Sequence, residues 1–245
     1  FKLESQETVP SSGWKIEKVS DRKVRDEWKP LWGKRAVVED HFNELVIDLV
    51  NPAGQPERMQ LVVRGYNDGF AFCYKIPDGK GPCVNVQSEL TAYNFAGDYT
   101  AWFYNGENHN IGPEKLTETD GTRLPVMTVK AGDKHYMAIH EACLETGAPL
   151  VLQSKGGESL FSVASKPTSL SPGYTSAWRV VLYGTTPGVL TDSHLLELLN
   201  PDPDSRYDFS WVKPGLAVWD WRINGAVWDG FTYGMSYPSW VRMVD

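Results

Sequence analysis

Short apolar runs rich in β-branched and aromatic residues recur from Phe1 to about Leu190, and Gly, Pro, Asn and Asp punctuate them. Runs of this length read as strands of an antiparallel β-protein, and many of them at short spacing predict a sandwich. The clearest are Leu45 to Val50, Met59 to Arg64, Phe70 to Ile76, His135 to His140 and Trp178 to Tyr183. Between the second and third lies Gly65-Tyr-Asn-Asp-Gly69, whose Asn, Asp and Gly tolerate the positive φ angles of a tight hairpin. Helix-period stretches are nearly absent before Ser193 to Leu199, where a short apolar pattern suits one or two helical turns. Asn200-Pro-Asp-Pro-Asp204 cannot continue a helix and predicts a linker with a boundary near Asp204. Beyond it, Leu216 to Trp221 reads as a strand and Tyr237 to Asp245 as the start of a helix with Pro238 early in it. Residues 1–204 are thus expected to form the β-domain, and residues 205–245 a linker and the opening of a parallel α/β architecture.

The length of 245 residues is enough to bury a sizeable core. A net charge of -7, with no run of Lys or Arg, offers no electrostatic footprint for a phosphate backbone or an anionic membrane. Neither nucleic acid nor a membrane is therefore an expected partner. The longest apolar stretches fall far short of the roughly 20 residues of a membrane-crossing helix. The chain starts at Phe1 and shows no signal peptide, so the expectation is that an upstream leader was removed or lies outside the sequence. Three cysteines, Cys73, Cys83 and Cys143, lack metal-ligand spacing and allow at most one disulfide; buried free thiols are expected. Ten tryptophans stand out, and Trp211, Trp219, Trp221, Trp228 and Trp240 cluster in the last thirty-five residues. Such clustering suits a packed core or a sugar-binding cleft.

Five segments carry a resemblance. They are Trp28-Lys-Pro-Leu-Trp-Gly33 leading into Phe42-Asn-Glu-Leu45, then Arg64-Gly-Tyr-Asn-Asp-Gly-Phe-Ala-Phe72, Ile139-His-Glu-Ala142, Ser210-Trp-Val-Lys-Pro-Gly215 and Trp219-Asp-Trp221. In this order and spacing they resemble glycoside hydrolase family 97, whose members act on α-glucosides or α-galactosides with calcium. The resemblance implies an N-terminal β-super-sandwich of the galactose-mutarotase type, followed here by the first strand and first helix of a (β/α)8 catalytic barrel. It places the general acid and the nucleophile or base on later barrel strands. No catalytic residue is then expected within this chain, and the chain alone would be inactive. Its partners would be an α-linked oligosaccharide or glycoside and the rest of the barrel. A secreted or periplasmic location is what the resemblance favours. Where many members carry a second tryptophan, this chain has Arg222 after Trp221.

The resemblance also makes Glu141 a Ca2+ ligand. A hard cation wants six to eight oxygens, so one glutamate is only part of a shell completed by the barrel. The plain alternative is a strand-end carboxylate facing solvent. Asn105, Asn108 and Asn110 lie in a polar aromatic stretch that either lines a sugar cleft or forms ordinary turns. Trp219, Asp220 and Trp221 would close the first barrel strand, at the end where barrel enzymes carry their sites; stacking on a sugar and filling the barrel seam remain equal alternatives for the tryptophans. Asp68 is read as a hairpin corner, Glu44 and Arg64 as a cross-strand pair, and His140 as a packed histidine. A freestanding carbohydrate-binding module is the alternative to the enzyme reading.

Overall fold

Alternation of apolar and polar residues builds a strand-rich first unit in the computed structural model, which describes residues 2–3, 13–52, 56–79, 83–104, 110–145, 148–164 and 168–244. The chain divides into two units, Phe1–Pro201 and Asp202–Asp245. The first unit begins with β1 (Lys2–Leu3), β2 (Lys15–Trp28), β3 (Val38–Val50), β4 (Arg58–Tyr66) and β5 (Gly69–Lys75). It continues with β6 (Val84–Ser88), β7 (Ala92–Asn94), β8 (Thr100–Tyr104), β9 (Ile111–Lys115), β10 (Asp120–Lys130) and β11 (Tyr136–Ala142). The strands end with β12 (Leu152–Lys155), β13 (Leu160–Val163), β14 (Thr168–Leu170) and β15 (Trp178–Gly184), followed by the short helices α1 (Pro187–Asp192) and α2 (Leu195–Leu198). All five strands read from the sequence are present, with ends shifted by a residue or more (β5 stops before Ile76 and β11 starts after His135), and the helix expected at 193–199 is α2.

Among the described residues twelve strands share one sheet, running β2-β3-β4-β5-β15-β11-β10-β12-β13-β7, with β8 also on β10 and β9 on β8. The pairs among these strands are antiparallel. A smaller sheet runs β1-β6-β14. Strand β2 ends the long path. Among the described residues it has a neighbour on one side only, and most of its length is exposed.

The β4–β5 hairpin is the tight turn that its Asn-Asp-Gly predicts: Tyr66 faces Gly69, leaving Asn67 and Asp68 as the two-residue corner. Gly69 is needed for a close approach. A Cβ there would run into the Val181 carbonyl oxygen and come 3.0 Å from Leu182 Cα on the neighbouring strand.

Register divides the apolar side chains between the two faces of this sheet. Val62, Ala71, Cys73, Val180, Leu182 and Ala138 share one face and pack under Leu195 and Leu199 of the α1–α2 segment. Met127, Val129 and Ile139 share the other, where Leu150, Leu152, Phe161 and Val163 cover them. Strand β10 joins the layers, pairing with β12 through Asp120–Arg123 and with β11 through Met127–Lys130. This is a sandwich, with its core between β8, β10 and β11 on one side and β12 and β13 on the other. Of the thiols, Cys73 is buried and burial pushes it up to about 12, but Cys83 is exposed and Cys143 half-buried. The expectation of three buried thiols is corrected: Cys83 precedes β6 and Cys143 follows β11, so neither occupies a strand position, although Cys143 packs against the first of these faces.

The second unit holds α3 (Asp220–Ile223), a two-stranded hairpin of β16 (Val227–Trp228) and β17 (Phe231–Thr232), and α4 (Tyr237–Val244). The helix starting near Pro238 is present. The strand expected at Leu216 to Trp221 is not: residues 216–219 have no ladder partner among the described residues, and Asp220 opens α3. An extended segment becomes a strand only when a neighbour takes up its backbone hydrogen bonds. The five tryptophans of this unit expose 47–75% of their surface.

Candidate functional site

Alternation along β11 puts Glu141 on the same face as Ile139, and the β11–β15 register sets it opposite Arg179. Among the described residues Arg179 is the largest fully buried side chain, 1% exposed. Its guanidinium is gripped by Glu89: Nε donates to Oε1 at 3.0 Å and Nη2 to Oε2 at 2.5 Å. Nη2 also donates to the Ala148 carbonyl at 3.3 Å, and Nη1 reaches Glu141 Oε2 at 3.3 Å. The same Oε2 accepts the Leu150 backbone N–H. Each carboxylate side chain is 8% exposed. Glu141 is thus not a solvent-facing carboxylate. Burial raises its pKa, against the pull of the Leu150 N–H and Arg179, while Glu89 pushes the same way as burial. For Arg179 burial works against the charge, but the hydrogen bonds and charge of Glu89 outweigh it and raise the guanidinium pKa. His140 accepts the Glu141 N–H on Nδ1 at 2.8 Å, and burial lowers its pKa.

The Glu141 carboxylate lies in a desolvated place, and its Oε1 accepts no hydrogen bond from the described residues. Both features suit a hard cation beside Glu141. Among the described residues no three His, Cys, Asp or Glu side chains converge to hold a metal by themselves. Glu141 would supply one or two oxygens of a shell of six to eight.

Asn105 and Asn108 fall outside the described residues, and Asn110 is exposed in a stretch without regular structure. In the second unit, Asp220 Oδ2 accepts the Trp240 indole N–H at 2.7 Å, tying α3 to α4. The Arg222 guanidinium lies 5.3 Å from the Trp219 ring centroid, and Trp221 is exposed. Asp68 accepts the Tyr183 N–H through its backbone carbonyl, as a corner residue does.

The family model described as Glycosyl-hydrolase 97 N-terminal matches residues 1–201. The chain belongs to that family. A retaining alpha-galactosidase of Bacteroides thetaiotaomicron is 26% identical over 92% of this chain and 39% of its own length. A probable retaining alpha-galactosidase of Streptomyces bingchenggensis is 27% identical over 88% of this chain and 34% of its own. The chain therefore spans a third to two-fifths of the curated relatives it matches. Among solved structures, a Glycoside Hydrolase Family 97 enzyme in complex with acarbose from Pseudoalteromonas sp. strain K8 superposes with a TM-score of 0.71. It covers 83% of this chain and 32% of that one at 24% identity, a likeness of fold.

On the opposite face of the family 97 domain, Glu44 and Arg64 form the cross-strand pair that their spacing suggested. Arg64 Nε donates to Glu44 Oε2 at 2.8 Å and Arg22 Nε to Oε1 at 2.6 Å, while the Arg64 guanidinium sits 4.4 Å from the Phe42 ring centroid and 4.9 Å from that of Trp178. Burial pushes the Glu44 carboxyl up, but the two arginines outweigh it and leave the pKa lowered. A lowered folded-state pKa gives stability that is present above the ordinary carboxylate value and lost as pH falls through the folded value. Glu44→Gln is expected to cost about 1.5–3 kcal/mol at pH 7. The deficit should shrink on acidification below pH 4.5, the ordinary value of the group, when urea unfolding is compared across pH. Sequence reading passed over Glu89 and Arg179. Ninety positions separate them, and no local pattern links a glutamate ahead of one short strand to an arginine in the last long one.

Proposed function

We propose that this chain is the N-terminal portion of a calcium-dependent α-glycosidase, that Glu141 supplies one ligand of the cation, and that the chain alone is inactive. The observation that supports it most is the family match over residues 1–201, joined to a Glu141 carboxylate that is buried, fixed at one oxygen and free of donors from the described residues at the other. Both curated relatives quoted are alpha-galactosidases, so an α-galactoside is the favoured substrate and an α-glucoside the second choice. Residues 205–245 would be the linker and the opening of the catalytic barrel.

In this reading the chain's residues bind and orient. Glu141 holds its share of the cation, which when bound would act as a Lewis acid and an orienting charge near the glycosidic oxygen. Trp219 and Trp221 offer ring faces to the apolar face of a pyranose, and Asp220 offers an acceptor to a sugar hydroxyl or braces Trp240. Asn105 and Asn108 are the further candidates for hydroxyl contacts. Hydrolysis needs two carboxyl groups flanking the bond, one of them an acid and the other a nucleophile or base. Those roles would fall to residues beyond Asp245.

The test compares the complete polypeptide with the isolated 245-residue chain on nitrophenyl α-galactoside and α-glucoside, with Ca2+ and after chelation. Turnover by the complete polypeptide only, lost on chelation, is the expected result. Turnover by the isolated chain would sink the division of labour, and binding of oligosaccharide without any turnover by the complete polypeptide would favour a carbohydrate-binding module. Calorimetry on the complete polypeptide should show Glu141→Gln weakening Ca2+ binding by tenfold or more; equal affinity would remove Glu141 from the shell.

A further inference from the structure

We infer that Arg179, clamped by Glu89, is a positioning residue that fixes where the Glu141 carboxylate points. The inference rests on the proposed calcium reading but adds a role for two residues that do not touch the cation. A glutamate side chain turns about three bonds, so an unrestrained Glu141 would lose freedom on meeting a ligand. Here that freedom is already gone. Oε2 is held by two donors of different origin, the Leu150 N–H from the backbone and Nη1 of Arg179, so the plane of the carboxylate is set and Oε1 is left over.

The guanidinium can do this only because it is itself immobile. Glu89 takes Nε and Nη2 in the two-pronged geometry that matches a planar guanidinium to a carboxylate, and the Ala148 carbonyl takes Nη2 again, which leaves Nη1 aimed at Glu141. A lysine has no such fork. Supporting partners of metal ligands commonly change affinity tenfold to a hundredfold when removed. Glu89 is in that relation to Glu141, one guanidinium away.

The experiment is Ca2+ calorimetry on the complete polypeptide in four forms: wild type, Glu89→Gln, Glu141→Gln and the double variant. Thermal unfolding in chelator is measured beside it, so that affinities are compared on folded protein. Glutamine keeps the shape of Glu89 but gives up one of its two acceptors. Glu89→Gln alone should weaken Ca2+ about tenfold, and in the Glu141→Gln background it should weaken it no further. A structural role without positioning would lower thermal stability and leave the Ca2+ affinity alone. If Glu141→Gln weakens binding and Glu89→Gln does not, positioning is overturned and the calcium reading stands; so too if Glu89→Gln acts equally in both backgrounds. If Glu141→Gln leaves binding unchanged, both fall.

Discussion

Arg179→Leu is expected to destabilise the first unit by about 3–5 kcal/mol, because removing one partner of a buried ion cluster strands the others. Arg179 is the hub: its loss leaves Glu89 and Glu141 with 8% exposed side chains, two negative charges and no guanidinium between them. The sign of the pH dependence follows. Without Arg179 the Glu141 carboxyl loses a charge that holds its pKa down, so burial raises that pKa further above its unfolded value, and the variant should gain stability as pH falls, with its deficit largest at neutral and alkaline pH. Urea unfolding from pH 4 to 8 reads this out. Adding Glu89→Gln and Glu141→Gln to Arg179→Leu should return part of the loss, since the charges that cannot be solvated are then gone. A loss of under 1 kcal/mol, independent of pH, would mean that water reaches the cluster.

Phe161→Ala should cost the same unit about 3–5 kcal/mol, through lost transfer energy and a cavity that the surroundings cannot fill. Phe161 is 0% exposed and lies between two aromatic neighbours, with ring centroids 5.7 Å from Phe103 and 6.4 Å from Phe95. Phe103 comes from β8 and Phe161 from β13, so the contact spans the two layers. Collapse into the hole would require a strand to move. Phe161→Leu keeps most of the volume and should cost much less, so the difference between the two variants measures the cavity. Equal costs would show that the aromatic contacts, not the volume, matter here.

The sequence was informative wherever one strand had one wet and one dry face, or two. Leu45 to Val50 and Trp178 to Tyr183 announced themselves by β-branched runs, and Asn67-Asp68-Gly69 by turn chemistry. Glu44 and Arg64 could be paired because a hairpin-like ladder brings nearby strands into register. Strand β2 gave no such signal, because a strand exposed over most of its length needs no apolar alternation. The Leu216 to Trp221 segment misled in the opposite way. Its apolar run is that of a strand, but an apolar run reports a tendency to burial, and a ladder needs a neighbour. Of the proposed site, Glu141 was singled out by its place in a motif. Arg179 and Glu89, which decide how it is held, are brought together by a fold that joins positions far apart in the chain.

The lone-sided pairing of β2 bears on how the protein behaves in crowded solution. A fourteen-residue strand with one row of backbone donors and acceptors unclaimed by the described residues is a template onto which a second molecule can add its own strand. Nine of those fourteen residues are charged, and exposed Ile16 and Val19 sit among Lys15, Glu17, Lys18 and Asp21. An incoming strand would have to strip water from these groups and set some like charges against each other. That barrier to edge-to-edge aggregation is electrostatic, so it weakens as salt shortens the Debye length below about 8 Å. The same ladder that anchors one end of the sheet therefore makes colloidal stability a function of ionic strength.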